Sequence, residues 1–406
     1  MKKFIKQFDI VLSVFCSVVF CLVALGQIYL PDKVVFFDGN EKTTLYEVFT
    51  VNKTDDSVMS VSTNGTENSV AEASLLGIIP VRTVKAENGE RKYVNVSGDI
   101  IGICLYTDGL LIVGVEDVVT EDGNVSPATV CGLQTGDIIT QVNDEKVVSV
   151  ADFSQYITNS KGNSVSITAV RDNKTLYFSL TPAYCESEDK YRCGLWLRDS
   201  TAGIGTMTFV DPESGVFAAL GHSICDSETQ SVLTVGDGDI LTATVTGITK
   251  GEKGATGQLL GSFADKTLGE LIENNEFGVY GTYSENDELT GELMAVATQT
   301  EIKAGDAQIL CNIDGNGVKY YDIEIEKISY SAEKQSRSMV IEITDDELLN
   351  TTGGIVQGMS GSPIVQDGML IGAVTHVFLN DPTRGYAIFA ETMIDTADSI
   401  IDVEKR

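Results

Sequence analysis

A run of sixteen residues at positions 128–143, ATVCGLQTGDIITQVN, constrains the fold more than any other part of the chain. Its first residues are predicted to form a short helix that ends at Gly132, because glycine readily adopts the left-handed conformation that terminates helices. Gly136 permits a second left-handed turn, and the apolar residues that follow fit a half-buried strand. A helix, a turn and a strand in such close succession indicate a compact domain of mixed α and β structure.

The same run resembles the PDZ pattern A-x-x-x-G-L-x-x-G-D-x-I-x-x-V-N, and a PDZ domain (α+β) is predicted over residues 93–183. Residues 150–160 are predicted to form the helix beside its ligand groove. In PDZ domains a peptide adds a strand beside the groove, and its terminal carboxylate meets backbone N–H groups of a loop. Ile101, Gly102 and Ile103 are the predicted peptide-binding loop. The alternative is a degenerate PDZ domain that only packs against its neighbour.

The N-terminus has the order of a segment that directs export. Three lysines lie within the first six residues, and an uncharged, mostly apolar run covers residues 10–30. This order leaves the basic end in the cytoplasm, and roughly 20 apolar residues suffice to span a bilayer as a helix. Residues 1–30 are therefore predicted to be a signal anchor. The small residues Ala24 and Gly26 also resemble a signal-peptidase site, so a cleaved and secreted chain is the open alternative.

Residues 31–92 are predicted to be a flexible linker with short strands. Within them, residues 53–73 are rich in Ser, Thr, Asn and Asp and have few bulky apolar groups, so they cannot offset the entropy lost on ordering. Apolar and polar residues alternate over positions 75–96, which indicates short strands.

Charge and cysteine usage exclude several functions. The chain has 28 Lys and Arg against 59 Asp and Glu, and the resulting net charge of −31 would repel nucleic-acid phosphates and anionic lipid headgroups. The eight cysteines form no C-x-x-C pair and have no zinc-like spacing to a histidine, so neither a metal nor another cofactor is predicted. A disulfide between Cys185 and Cys193 is compatible with export, although buried free thiols are the more common arrangement.

Residues 184–406 are predicted to be a mostly β domain. Turns separate short strands, and the segment KYYDIEIEKI at positions 319–328 alternates cleanly between apolar and polar residues. Helical periodicity is limited to residues 268–274 and 391–401.

The sequence Gly-Met-Ser-Gly-Ser-Pro at positions 358–363 suits a nucleophile loop. Glycines on both sides of Ser360 let the backbone turn sharply and expose its hydroxyl, while the N–H groups of Gly358 and Ser360 converge on a developing oxyanion. The loop resembles the G-D-S-G-G-P loop of chymotrypsin-like serine proteases. Ser360 is preferred to Ser362 on this geometry.

The chain has only two histidines. His222 follows a strand that ends at a glycine. This position exposes the imidazole on a loop held by rigid strands, so His222 is the predicted general base. His376 lies within an apolar strand, where it would be a pocket wall or core residue, and it is the alternative. An acid that orients the base has to be near it in space. The candidates are Asp345, at the end of an alternating strand, and Asp226, four residues after His222.

Longer runs resemble one family, the stage IV sporulation protein B peptidases of endospore-forming bacteria. The matching runs are LPD at 30–32, the PDZ pattern, RDSTAGIGTMTF at 198–209, ALGH at 219–222, GGIVQGMSGSP at 353–363 and THVF at 375–378. The resemblance implies a mostly β chain in which a PDZ domain is followed by a chymotrypsin-like β-barrel serine protease domain. It further implies that Ser360 is the nucleophile, His222 its base and Asp345 the third member.

The resemblance also implies a biological setting. Such an enzyme is exported from the forespore into the space between the two forespore membranes, where it cleaves itself. It then cleaves a regulatory subunit of a membrane-embedded complex that restrains an intramembrane metalloprotease, which releases a late mother-cell sigma factor. The PDZ domain is implied to govern self-cleavage and substrate capture. The expected partners are therefore protein substrates, including the chain itself, and the membrane.

Two other functions compete with this one. The first is a catalytically inactive PDZ scaffold that docks membrane partners, which the intact Ser360 loop and His222 argue against. The second is a stress protease of the high-temperature-requirement type, which is disfavoured because in those enzymes the protease domain precedes the PDZ domain.

Overall fold

Strands dominate the chain after its N-terminal helix. They form a five-stranded sheet, one larger closed system of strands and two small two-stranded ribbons. The computed structural model describes residues 2–37, 42–45, 48–53, 69–172, 174–284, 289, 291–330 and 332–404. The prediction of a mostly β chain is confirmed.

The N-terminal region consists of one long helix and the five-stranded sheet. Helix α1 (Lys2–Tyr29) includes the segment Ile10–Tyr29, which is long and apolar enough to cross a membrane. The strands of the sheet are β1 (Lys33–Phe37), β2 (Lys42–Leu45), β3 (Phe49–Lys53), β4 (Ser69–Leu75) and β5 (Ile79–Gly89). Their spatial order is β1-β5-β4-β3-β2. Partly buried residues of α1, among them Leu22 and Val23, pack against the apolar core of this sheet.

The predicted flexible linker is wrong where the structure describes it. Lys53 ends β3, and residues 69–73 lie in β4, where Ala71 and Ala73 are fully buried. Hydrogen bonds from β3 on one side and β5 on the other order this strand despite its small and polar residues. Residues 54–68, the rest of the predicted linker, lie outside the described residues.

The remaining elements, in chain order, are β6 (Tyr93–Val96), β7 (Ile100–Val115), β8 (Val118–Thr120), β9 (Gly123–Val125), α2 (Pro127–Cys131), β10 (Ile138–Val142), β11 (Glu145–Lys146), α3 (Val150–Asn159), β12 (Val165–Arg171), β13 (Lys174–Leu180), β14 (Ala183–Cys185), β15 (Lys190–Arg192), β16 (Leu195–Val210), β17 (Val216–Ala219), β18 (Val235–Thr249), β19 (Gln258–Asn275), β20 (Gly278–Tyr283), β21 (Glu292–Val296), β22 (Gly305–Cys311), β23 (Lys319–Ile328), β24 (Met339–Ile343), α4 (Asp346–Thr352), β25 (Pro363–Gln366), β26 (Met369–Phe378), β27 (Asp381–Phe389) and α5 (Ala390–Glu404).

Two six-stranded antiparallel barrels make up the peptidase domain. The first closes in the order β7-β16-β17-β20-β19-β18. The second closes in the order β22-β23-β24-β27-β26-β25. Alternation positions the core: in β23 the side chains of Tyr321, Ile323 and Ile325 are buried, while the residues between them are exposed. Two such barrels form the chymotrypsin-like arrangement, so the predicted fold class is confirmed.

The PDZ module, residues 110–197, is inserted between two strands of the first barrel. Helix α2 ends at Gly132 with φ 95°, and Gly136 has φ 94°, as predicted from the sequence. Asp137 is completely buried, pairs with Arg171 and accepts the N–H of Gln134 at 3.0 Å. The aspartate of the motif therefore joins the turn to β12.

Ile101, Gly102 and Ile103 do not form a peptide-binding loop, contrary to the prediction. They lie in β7, whose two edges pair with β16 and β18 at these residues. Ile101 and Ile103 are 1% and 4% exposed, and a side chain at Gly102 would meet the ring of Phe263 at 2.6 Å. Because both edges are occupied, no peptide strand can be added there. Residues 93–109, predicted to begin the PDZ domain, thus contribute strands to the peptidase domain instead.

Two helices predicted from periodicity differ in outcome. Residues 391–401 lie in α5, as predicted. Residues 268–274 are not helical but lie in β19, where pairing with β18 and β20 on both sides overrides the local pattern.

Cys185 and Cys193 are free cysteines, and both are buried. Burial raises the pKa of the Cys193 thiol to about 12, so this side chain stays protonated at neutral pH.

Candidate active site

The Ser360 loop and the segment that carries His222 meet where the two barrels join. Ser360 lies just before β25 of the second barrel, and His222 follows β17 of the first. Strand β16 of the first barrel holds the loop at two points. The N–H of Thr206 donates to the Ser360 carbonyl at 3.0 Å, and the Thr206 hydroxyl donates to the Gly358 carbonyl at 2.8 Å. The first barrel therefore fixes the backbone on both sides of the predicted nucleophile.

Thr206 and Thr208 are site residues that the sequence analysis did not single out. Both are completely buried, and the Thr208 hydroxyl donates to the Gly361 carbonyl at 2.8 Å. Two threonines at alternate positions in the apolar C-terminal part of β16 were the available signal, because a buried hydroxyl needs a hydrogen-bond partner.

The shape of the loop requires glycine at Gly361. Its φ is 93°, and a Cβ atom there would lie 2.1 Å from the Thr206 carbonyl oxygen and 2.5 Å from the Leu220 nitrogen. Any side chain would therefore push the loop away from the first barrel. The neighbouring Met359 is fully buried in the core of the second barrel, so it anchors the loop from the other side.

The backbone N–H groups of Gly358 and Ser360 are available to an anion. Neither has an acceptor within the part of the chain that the structure describes, whereas the N–H groups of Met359 and Gly361 donate to backbone carbonyls at 3.1 and 2.8 Å. Two free backbone N–H groups with one residue between them are what an oxyanion hole requires.

The two serines of the loop differ in access. Ser360 is partly exposed, and its hydroxyl donates to the Thr375 carbonyl at 2.9 Å, so its proton is engaged by a backbone carbonyl. Ser362 is completely buried, and its hydroxyl has no partner among the described residues. A substrate can therefore reach Ser360 but not Ser362.

His222 is held by its own backbone. Its Nδ1 lies 2.8 Å from the Ser223 carbonyl oxygen, so in the neutral ring Nδ1 carries the proton and Nε2 is the basic nitrogen. Burial lowers the pKa of His222, and the hydrogen bond to Ser223 opposes this only in part. The imidazole is therefore neutral at neutral pH, as a general base has to be.

His376 packs beside His222. The two ring centroids are 4.9 Å apart, with 40° between the ring planes. The buried Nδ1 of His376 has no hydrogen-bond partner in the described part of the molecule. Burial lowers the pKa of His376 to about 4, and the charges of His222 and Arg337 act in the same direction. Strand β26 thus brings the second histidine to the site, but as a neutral side chain in its wall.

The structure does not bring Asp345 to His222. Asp345 is the N-cap of α4, where its Oδ1 accepts the Leu348 N–H at 2.9 Å and its Oδ2 accepts the Asp322 N–H at 3.4 Å. Both carboxylate oxygens are therefore occupied by backbone donors of the second barrel. A carboxylate at the end of a strand and the start of a helix is a common cap, which explains why the sequence pattern was misleading.

Asp226 is also engaged elsewhere. It is 1% exposed, pairs with Arg198 and accepts the Thr229 N–H at 2.8 Å. Burial alone would raise the pKa of Asp226, but the hydrogen bonds from Thr229 and the charge of Arg198 lower it overall. Asp226 therefore stabilises the loop after His222 as a buried anion, and in the described part of the chain its carboxylate accepts hydrogen bonds from Arg198, Glu228 and Thr229 and not from the imidazole.

Among the residues that the structure describes, no three His, Cys, Asp or Glu side chains are grouped so as to hold a metal ion. A serine nucleophile with a histidine base needs none.

Apart from the Ser360 loop and the two histidines, the PDZ module has a cleft of about 150 Å³ between α3 and the start of β16. Phe153 and Ile157 of α3 form one wall, and residues 193–197 form the other. Leu195 pairs with β7 through one edge of its strand, and its other edge borders the cleft. The helix predicted over 150–160 does flank this groove, but the strand beside it comes from the end of the module and not from Ile101 to Ile103.

Two family models match the chain. The model described as SpoIVB peptidase S55 matches residues 189–394, and a PDZ domain model matches residues 119–171. The first match contains Ser360, His222 and all of β16, and the second contains α2 and α3.

Similar proteins cover only parts of the chain. The regulator of sigma-W protease RasP from Bacillus subtilis is 27% identical over 117 residues, which are 28% of this chain and 25% of RasP. The chain thus spans about a quarter of the length of the curated relatives that it matches. The PDZ domain of an SdrC-like protein from Listeria monocytogenes is 23% identical with a TM-score of 0.19, over 22% of this chain and 87% of that one. The HtrA-type protease AlgW with a tripeptide is 15% identical with a TM-score of 0.31, over 50% of this chain and 57% of that one.

Proposed function

This chain belongs to the SpoIVB peptidase S55 family and is a serine peptidase, and we propose that Ser360 is its nucleophile and His222 its general base. The assignment rests on the groups that meet where the two barrels join. There the partly exposed Ser360 hydroxyl and two backbone N–H groups of the same loop, which have no acceptor among the described residues, adjoin the segment that carries a neutral His222.

The proposed reaction follows from these groups. When a peptide carbonyl enters, the Ser360 hydroxyl exchanges its bond to the Thr375 carbonyl for one to Nε2 of His222, since hydrogen bonds at catalytic sites often tighten only with substrate. Ser360 then attacks the carbonyl carbon, and His222 takes the proton and returns it to the leaving amine. The N–H groups of Gly358 and Ser360 stabilise the tetrahedral anion. Water releases the acyl group by the same steps in reverse.

We infer that the Ser223 carbonyl orients His222 in place of a carboxylate. It accepts from Nδ1 and selects the tautomer with a basic Nε2, which is the orienting role of the third member of a triad. Asp345 and Asp226 each have other partners, so the proposal assigns them structural roles.

The wider role proposed is that of an exported signalling protease. The apolar helix α1 supports attachment to a membrane or export through it, and the family supports a role in sporulation. We propose that the chain acts between the forespore membranes, cleaves itself, and cleaves a membrane-associated regulatory protein whose loss activates a late mother-cell sigma factor. The relative RasP is named as a regulator of sigma-W protease, which fits a setting of sigma-factor control.

The PDZ module supports substrate capture. The cleft between α3 and β16 offers a strand edge without a partner strand among the described residues, and its lining includes the apolar side chains of Phe153 and Ile157, so an extended peptide can pair with it by β-augmentation. We propose that this cleft, and not residues 101–103, receives peptide segments.

A second candidate function is a PDZ scaffold without catalysis. It is favoured by one observation, namely that the Ser360 hydroxyl donates to a carbonyl and not to an imidazole.

One experiment separates the two functions. The full chain is purified in detergent as wild type, Ser360→Ala, His222→Ala and Ser362→Ala, and N-terminal fragments are identified by mass spectrometry. We expect fragments from the wild type and from Ser362→Ala, whose buried hydroxyl makes no hydrogen bond to any residue that the structure describes, and none from the other two. Equal fragmentation of all four chains would refute the catalytic assignment and favour the scaffold.

A further inference from the structure

The turn between β4 and β5 presents an unusual surface. Its residues Leu76, Ile78 and Ile79 have exposed fractions of 67%, 81% and 39%. We call residues 76–79 the apolar turn. Tight turns normally carry polar residues or glycine, and Leu76 even adopts a left-handed φ of 52°, where Asn or Gly would be less strained. Three large apolar side chains at such a tip indicate contact with something other than water.

The apolar turn lies beside helix α1. The Lys85 N–H of β5 donates to the Asp32 carbonyl at 2.9 Å, just after the helix. Four residues earlier in β5, the Val81 carbonyl accepts from the Gln27 side chain at 3.4 Å, and the Val81 side chain packs against Gly26. Residues nearer the N-terminal end of β5 therefore contact residues nearer the N-terminal end of α1. The apolar turn comes next in this direction, beside the part of α1 that precedes Gly26.

This part of α1 is inside the segment that can cross a membrane. The segment Ile10–Tyr29 has 20 residues and a mean hydropathy of 2.4, and only 6% of it is buried in the protein. Gly26 is three residues from its end, or about 5 Å along the helix axis, and the tip of the turn is about 10 Å further along its strand. If α1 spans the bilayer, the apolar turn lies at the depth of the hydrocarbon core and not in water.

Two further features suit a position in lipid. The N–H groups of Leu76 and Ile78 donate to backbone carbonyls at 2.7 and 3.1 Å, so they do not need water. Arg82, the first charged residue of β5, donates to the Leu30 carbonyl at 3.1 Å and pairs with Asp32, at the level where the helix leaves its apolar segment. A cation at this level matches the membrane–water interface.

We propose that the apolar turn inserts into the lipid bilayer beside α1 and holds the N-terminal sheet against the membrane surface. The occupant of this surface is the acyl-chain region of the lipid, because the turn is exposed, apolar and uncharged and lies beside a helix segment that is long and apolar enough to cross the bilayer. The turn carries no charge, so insertion does not depend on anionic headgroups. The inference rests on the predicted role of α1 as a signal anchor that stays in the membrane.

The test uses the full chain in phosphatidylcholine nanodiscs. Trp196 is the only tryptophan, so Trp196→Phe gives a silent background. In this background Ile78→Trp reports on the turn, and Tyr177→Trp, at a position that is 75% exposed on the PDZ module, is the matched control. Lipids brominated on their acyl chains are the quencher. We expect quenching of the Ile78→Trp emission at least threefold stronger than that of the control, with a blue-shifted maximum, and the same result when phosphatidylglycerol is included.

Each other outcome overturns the inference at an identifiable step. Quenching no stronger than in the Tyr177→Trp control, in chains that resist alkaline carbonate extraction, would show that α1 spans the membrane without the turn. Extraction by carbonate would remove the premise that α1 is retained. Self-cleavage that depends on Ser360, measured on the same samples, keeps a failure of this inference distinct from a failure of the proposed catalysis.

Discussion

The two ends of strand β16 serve two sites that are built differently. At its C-terminal end, Thr206 and Thr208 bond the Ser360 loop with buried hydroxyls, and Gly361 approaches so closely that no side chain fits. At its N-terminal end the strand leaves one edge open to the PDZ cleft, and Trp196 is 59% exposed. Chemistry needs atoms held to fractions of an ångström, whereas backbone pairing accepts many peptides. One strand thus joins the two sites. We call its C-terminal end, at Thr206 and Thr208, the fixed end, and its N-terminal end, at the PDZ cleft, the adaptable end.

The middle of the strand connects the two sites. Arg198 pairs with Asp226, and with Glu228 at 2.8 Å, in the loop that follows His222. The next residue, Asp199, accepts the Val150 N–H at 2.9 Å at the start of α3. We therefore expect a displacement of α3 by a bound peptide to reach the loop that follows His222 through these two adjacent residues.

The largest effect is expected from the base at the fixed end. His222→Ala should lower kcat for peptide cleavage by about 10³-fold or more, because it removes the proposed acceptor of the Ser360 proton. His376→Phe keeps a ring of similar shape in the wall and should retain activity within about tenfold, since a partly buried histidine whose pKa is lowered to about 4 is a weak base. Single-turnover rates with one peptide substrate measure both. A loss in His376→Phe that equals the loss in His222→Ala would reverse the assignment.

The close approach at Gly361 gives the next largest effect. Gly361→Ala should lower kcat by about 100-fold and the free energy of unfolding by about 3 kcal/mol, because the new methyl group collides with Thr206. Gly254→Ala is the matched control, since Gly254 has a similar φ of 90° but open space around it. We expect it to cost only about 1 kcal/mol and no activity. If both variants lose the same free energy of unfolding in urea, backbone strain at the glycine, and not contact with β16, determines the stability of the loop.

Much of this fixed end could be predicted from the sequence, for physical reasons. The glycines around Ser360 and the single histidine after a terminated strand leave few alternatives, and the structure brings both to one junction. Asp345 could not be judged in this way, because a carboxylate that caps a helix and one that orients a histidine look alike in sequence.

The adaptable end was harder to predict. The apolar-glycine pattern at Ile101, Gly102 and Ile103 fits a PDZ loop, but whether a strand edge is free depends on partners distant in the chain. Here the partners are β16 and β18, which follow the PDZ module. The same limitation explains residues 268–274, whose local pattern suits a helix until two neighbouring strands pair with them.

The pH dependence should be set at the fixed end, where both histidines lie. Burial lowers the pKa of His222 from its ordinary value of 6.5, so kcat/KM should stay level down to pH 6.5 and fall only in more acidic solution. Unfolded histidines gain protons near pH 6.5, but folded His376 gains one only near its pKa of about 4. The free energy of unfolding should therefore decrease as the pH falls through this range, and less so in His376→Phe.

Nuclear magnetic resonance of ¹⁵N-histidine measures these two pKa values directly, because the chain has only two imidazoles. An imidazole that titrates at or above pH 6.5 would contradict the burial of the pair.

The smallest effect is expected from the connection between the two ends. Asp199→Asn should weaken the contact with the start of α3 and lower the free energy of unfolding by only about 1 kcal/mol, as for the loss of a helix cap. Ser149→Ala is the matched control, because the Ser149 hydroxyl caps the same helix by accepting the Asp152 N–H at 3.1 Å, without contact to β16. Both variants should be similarly stable in urea. If a peptide bound in the PDZ cleft changes the cleavage rate, Asp199→Asn should reduce this change by about threefold and Ser149→Ala should not, because of these two residues only Asp199 belongs to β16, the strand that holds the Ser360 loop. An equal reduction in Ser149→Ala would mean that the stability of α3, and not the connection through β16, links the two sites.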